Sequence, residues 1–173
     1  LSAAARGRGG AGGAAAAAGE AMVAEVRHKF HMSLRAQVWH LQHSGQLGAV
    51  ATDRLVAAID RRMDDRDGDW LRWEQVEGIA TLPPAWIQRL QHSPLLGAAA
   101  RRFIMVLLSG RHDLALGFLT VHLHLAHDDD ATAHWSHDEE IVRRMHDVIE
   151  ANIEAARRSL IDLHEVLPEV CMS

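Results

Sequence analysis

Apolar residues recur along this chain at spacings of three and four. From Glu20 onward, Val23, Val26, Phe30, Leu34, Val38 and Leu41 fall within one arc when wound at 100° per residue. The pattern predicts a first helix that ends at Gly45, a residue type suited to the position just past a helix C-terminus. A second helix, capped by Thr52, carries Leu55, Val56, Ile59 and Met63 on one face and closes before DDRDGD, so the first two helices form an antiparallel hairpin. Asp69 is placed to cap a short third helix, DWLRWEQVEGI, with Trp70, Trp73 and Val76 on one side, and Pro84 suits the first position of another short helix, AWIQRLQ. A long apolar segment from Pro94 to Leu125 is expected to lie centrally, as one helix bent near Ser109-Gly110. The last helix opens on an S-x-x-E capping box, Ser136 and Glu139. It carries Ile141, Met145, Val148, Ile149, Ala156, Leu160, Leu163 and Val166 on one face until Pro168 stops it. No period-2 alternation bounded by turns occurs, so the expected fold class is all-α: an irregular helical bundle of five to six helices with a long C-terminal helix.

Length adds one constraint. A chain of 173 residues suits a single domain with a sizeable core. Residues 20–170 are expected to form that domain, residues 171–173 a tail, and the opening Ala/Gly-rich residues 1–19 a disordered linker. The chain does not begin with Met, which suggests a piece of a longer protein.

The net charge is −5 and the basic residues are interleaved with acids, as in DRRMDDRDGD, leaving no basic stripe for a phosphate backbone; nucleic acid is not an expected partner. The lone Cys171 has no internal disulfide partner. Uninterrupted apolar runs such as FIMVLL fall short of the roughly 20 residues of a membrane span, so no crossing is expected.

Candidate chemistry centres on HLHLAHDDDATAHWSHDEE, residues 122–140. His122, His124, His127 and Asp128, with His146 and Glu150 at the i, i+4 spacing used for metal ligation, make one candidate donor set, that of a free-standing metal-binding bundle of hemerythrin-like type. Against it, the pair of E-x-x-H motifs that a ferritin-like site uses does not occur, no H-E-x-x-H occurs, and acids 128–130 are contiguous and point apart. The preferred reading is a solvated polar join, with Asp138, Glu139 and Glu140 complementing a helix dipole, and with no metal or other cofactor. An unperturbed imidazole changes charge near pH ~6.5, so His122, His124, His127, His134 and His137 are also candidates for a pH-sensing role, set against the commoner reading of solvated or capping histidines. No G-x-S-x-G elbow or G-x-x-x-x-G-K is present, and the run GRGGAGG (7–13), although it spells G-x-G-x-x-G, follows no expected strand and is low-complexity sequence; no catalytic residues are expected, and the chain reads as a non-enzyme.

Taken in order, the segments EVRHKFHMSLRAQVWHLQHSGQL, AAIDRRMD, DWLRWEQV, LPPAWIQRL, GFLTVHLHLAH and the closing LPEV form a set over residues 23–170. This set resembles the cytosolic helical domain of plasma-membrane Na+/H+ antiporters of the salt-overly-sensitive type and of the related sperm-type exchangers. The resemblance implies a regulatory, dimer-supporting segment on the cytosolic face of the plasma membrane. Its partners would be a membrane transport domain and a cytosolic nucleotide-binding-like domain of the same longer chain, within a homodimer. The transport carboxylates of that family lie in membrane helices outside this segment, so none transfers to a residue here.

Overall fold

The computed structural model describes residues 10–65, 68–78, 85–90, 92–127 and 135–172. These form an all-α fold: α1 Gly10–His43, α2 Ala49–Asp64, α3 Trp73–Glu77, α4 Ala85–Leu90, α5 Gly97–His127 and α6 Glu139–Met172, with no strand among the described residues. The expected helical bundle with a long last helix is what the chain adopts.

The first two helices turn back on each other where the sequence places a glycine. Gly45 has φ 73°, the left-handed conformation that a side chain disfavours, and it lets the Gln46 and Leu47 N–H groups both reach back to the Leu41 carbonyl at 2.9 and 3.2 Å. The stripe Val26, Phe30, Leu34, Val38 and Leu41 is buried to its full length, and Leu55 and Ile59 of α2 meet it. Central α5 packs against α1 and α2 on one side and α6 on the other, and its contact with α6 is the most extensive in the fold. Gly117 sits where the α1–α2 loop crosses α5; a Cβ there would lie 2.5 Å from a Leu47 methyl. A second, smaller core joins Ile87 of α4, Ala100, Ile104 and Leu108 of α5, and Leu163 of α6.

Several local expectations are corrected. α1 begins at Gly10, so the second half of the leader expected to be disordered is helical, consistent with alanine's high helix propensity; residues 1–9 lie outside the described residues. Thr52 does not cap α2: Gly48 holds that position, while the buried Thr52 hydroxyl donates to the Gly48 carbonyl from inside the first turn at 3.1 Å. α6 is capped by Asp138, whose Oδ1 accepts from the Glu140 and Ile141 N–H groups at 3.0 and 3.4 Å, and Ser136 instead accepts from the Asp138 N–H at 3.0 Å. α6 also continues through Pro168 to Met172; the bond that proline removes belongs to the carbonyl of His164, a residue open to water. α5 runs as one helix through Ser109-Gly110, as expected, but begins at Gly97 rather than Pro94; Pro84 lies outside the described residues.

Joining apolar runs within one helix also changes the membrane reading. α5 is long and apolar enough to cross a membrane by length and composition, although counting uninterrupted runs missed it. Its inward face is the centre of the bundle, with Leu114, Ala115, Phe118 and Leu125 buried.

Phe30 is fully buried between α1, the segment before α3 and α5, its ring 5.2 Å from Trp70 and 6.1 Å from His122. Phe30→Ala is therefore expected to destabilise the fold by about 3–5 kcal/mol in urea titration. A change below about 1 kcal/mol would show that this core is not packed as described.

Candidate functional site

The third helix is shorter than its sequence pattern suggests, for a reason that lies outside the segment. Residues 68–72 are not helical; α3 starts only at Trp73, with Arg72 in extended conformation and its N–H donating to the Gln75 side chain at 3.2 Å. Asp69, expected to cap this helix, instead accepts from the Trp70 N–H at 2.9 Å and pairs with Arg72. Trp70, Leu71 and Trp73 are buried, so the extended backbone runs through the core and its amides need partners there.

Two side chains from two long helices supply partners for that backbone, and a third from α5 completes the network. His31 Nε2 on α1 accepts from the Leu71 N–H at 3.2 Å. Asn152 on α6 accepts from the Trp73 N–H through Oδ1 at 3.1 Å and donates through Nδ2 to the Leu71 carbonyl at 2.8 Å. The second Nδ2 hydrogen is directed to His122 Nε2 on α5, 3.0 Å away. His122 Nδ1 lies 2.8 Å from the Phe118 carbonyl, which can only accept, so Nδ1 carries the proton and Nε2 the lone pair. The same logic makes Nε2 of His31 unprotonated, because it faces a backbone N–H. Every polar atom of the Asn152 side chain is engaged, and reversing its amide would set Oδ1 against the Leu71 oxygen.

The trio sits inside an aromatic shell. The Phe118 and His122 rings are 4.0 Å apart, Trp73 and Phe118 5.2 Å, and Phe30 and His31 5.5 Å. Burial pushes the His122 imidazole down to about 4, opposed by its bond to the Phe118 carbonyl. Burial likewise pushes His31 down to about 4, with further lowering by the charges of Arg27, His28 and Arg62. Both rings are therefore neutral at pH 7.

The described members of the sequence-derived donor set do not assemble around a point. His122 points its free lone pair at Asn152, His124 is exposed, and His127 is exposed and bonded through Nδ1 to the Leu123 carbonyl at 2.8 Å. His146 is half-buried and Glu150 exposed on α6, and Asp128 lies outside the described residues, as do acids 129 and 130 and His134. Among the described residues, no three His, Cys, Asp or Glu side chains are gathered to hold a metal ion. The view of the imidazoles as a solvated corner fails for His122, which is 1% exposed. A clue lay in the pattern: His122 follows Phe118 by four residues, and Asn152 stands three after Ile149 and four before Ala156, within the apolar stripe of its helix.

A second polar junction lies farther along α6. Arg111 of α5 pairs with Glu77 at the end of α3, and the buried Ser159 hydroxyl donates to the same Glu77 oxygen at 3.2 Å. Arg111 Nε and the indole N–H of Trp73 are buried without a hydrogen-bond acceptor among the described residues. Of the other tryptophans, Trp39 and Trp86 are exposed and Trp135 half-buried, so aromatic packing is concentrated around the trio.

Comparison with known proteins finds no family model, no curated protein and no solved structure that matches this chain.

Two measurements check this site. Asn152→Ala leaves the Leu71 carbonyl, the Trp73 N–H and His122 Nε2 without their partner, and at about 1–3 kcal/mol for each unsatisfied buried group a loss of at least about 3 kcal/mol is expected. A loss under about 1 kcal/mol in urea unfolding would place the amide in water. The second concerns pH. With both histidines near 4 when folded and near 6.5 when unfolded, the unfolded chain binds more protons between those values. Stability is complete above pH 6.5 and declines as pH falls toward 4, by up to about 1.4 kcal/mol per pH unit for each ring. Urea unfolding at pH 7.5 and 5.5 should differ by about 2–3 kcal/mol, and equal or greater stability at pH 5.5 would refute the assignment.

Proposed function

We propose that this chain is a cytosolic regulatory and dimer-supporting helical domain of a plasma-membrane sodium/proton antiporter, which operates alongside a membrane transport domain and a nucleotide-binding-like domain of the same longer chain. The observation that supports this reading most strongly is where the family-like segments converge. His31 belongs to EVRHKFHMSLRAQVWHLQHSGQL, Leu71 and Trp73 to DWLRWEQV, and His122 to GFLTVHLHLAH; Leu71, Trp73 and His122 meet at one buried amide on the closing helix, and His31 joins them through Leu71. Segments that resemble a single domain in sequence order thus share a single polar centre.

Physically, such a domain acts by transmitting force and position. Helices α1 and α6 are tied through the stretch that leads into α3, and α5 joins α6 where His122 meets Asn152, so displacement of α1 is felt at α6 through directional bonds as well as through packing. Loosening the tie should weaken the coupling and leave ion selectivity alone, because no transport carboxylate is assigned to this chain.

The test is to reconstitute the full-length gene product in proteoliposomes and follow sodium-driven proton flux. Exchange is expected in the native protein. Gly45→Ala, a milder destabilisation of about 1 kcal/mol at the α1–α2 turn, should reduce the rate with little change in the sodium concentration for half-maximal flux. A gene product with no membrane spans beside this segment, or one without exchange activity, would end this reading.

A further inference from the structure

The outward face of α5 lies opposite the core and has no covering element over its first half among the described residues. Ala99, Arg102, Val106, Ser109, Asp113 and Leu116 fall within a 100° arc of the helix and are all exposed, Val106 by 63% and Leu116 by 44%. Exposed Leu95, Leu96 and Phe103 extend this apolar surface at the amino-terminal end. The loop at Gln46–Gly48 borders the other end, beside Asp113 and Leu116.

The stripe has an internal symmetry that specifies its own partner. Arg102 and Asp113 stand eleven residues apart, three turns plus about 20°, so they lie on one line about 16 Å apart with opposite charge. Now let an antiparallel second α5 cross on a two-fold axis that passes between Leu107 and Leu108. Arg102 then faces Asp113 of the copy twice, Leu116 faces Ala99 of the copy, and Val106 faces Ser109 of the copy. Each charge meets its opposite, and each larger apolar side chain meets a smaller one, the arrangement that ridges-into-grooves packing and an isologous interface both require. Within the chain Asp113 lies 3.6 Å from His112 Nδ1; a lipid surface accounts for the apolar residues but does not call for an acid on their face.

We propose that a second copy of this chain docks here, through an antiparallel α5–α5 contact closed at both ends by Arg102–Asp113 pairs. The proposal takes the dimer-supporting role above to a named face, and rests on that reading only for the expectation that the chain pairs. A single helix pair falls at the small end of specific interfaces, so the association is concentration-dependent and weak.

Sedimentation equilibrium on the purified chain tests it, with circular dichroism to confirm that each variant stays folded. Both side chains are exposed, so reversing their charge leaves the core intact. Arg102→Asp and Asp113→Arg should each weaken the dimer at least about tenfold through two like-charge contacts per dimer, and the double variant should recover native affinity to within about threefold. A chain that is monomeric throughout, a dimer indifferent to the single reversals, or a double variant without rescue would each overturn the proposal. So would co-sedimentation of the chain with phosphatidylcholine–phosphatidylglycerol vesicles that competes with self-association. A charge-dependent dimer in a gene product without membrane spans would keep this proposal while ending the antiporter reading. A working antiporter whose chain here stays monomeric would do the reverse.

Discussion

The fold depends on one carboxamide. Asn152 satisfies a backbone carbonyl, a backbone N–H and an imidazole at once, all in a core where none of the three can reach water. Buried polar groups of this kind cost free energy whenever any member lacks its partner, so the network acts as a register lock. Sliding α6 by one residue would remove the amide from Leu71 and Trp73 together. Apolar stripes alone would tolerate several helix registers, because Leu and Ile fill similar space wherever they land. Directional bonds to a fixed stretch of backbone do not.

Local structure follows from that constraint. The segment before α3 has the residues of a helix and an acid placed to cap it, yet it remains extended as far as Arg72 because its amides are claimed by His31 and Asn152. Tertiary partners thereby override local propensity, and the extended stretch lets Trp70 and Trp73 pack on either side of the backbone against Phe30 and Phe118. The neutral state of both histidines belongs to the same arrangement. A proton on either Nε2 would set donor against donor, and burial already disfavours the charged ring.

Much of this was legible in the sequence, and the exceptions have physical causes. The stripes of α1, α2 and α6 emerged from spacing because helical burial of apolar side chains repeats every three or four residues, and Gly45 was readable because only its conformation suits the turn. The expected cap lies four residues from the actual one at α2 and two at α6, since Ser, Thr, Asp and Gly compete closely for that position and the winner depends on the preceding loop. The polar trio was passed over because a histidine in a histidine-rich stretch looks solvated, and an asparagine in an apolar stripe is a single interruption. Its meaning appears only when residues 31, 71, 122 and 152 are brought together, and no local pattern carries that information.

The central claim is that two neutral imidazoles of defined tautomer hold the extended segment in place. Two-bond 1H–15N correlation of the histidine rings at pH 5.5 tests it most directly. His122 and His31 should both give the signature of a neutral ring protonated at Nδ1 and bare at Nε2. A charged ring at either position at that pH, or a neutral ring with its proton on Nε2, would contradict the account.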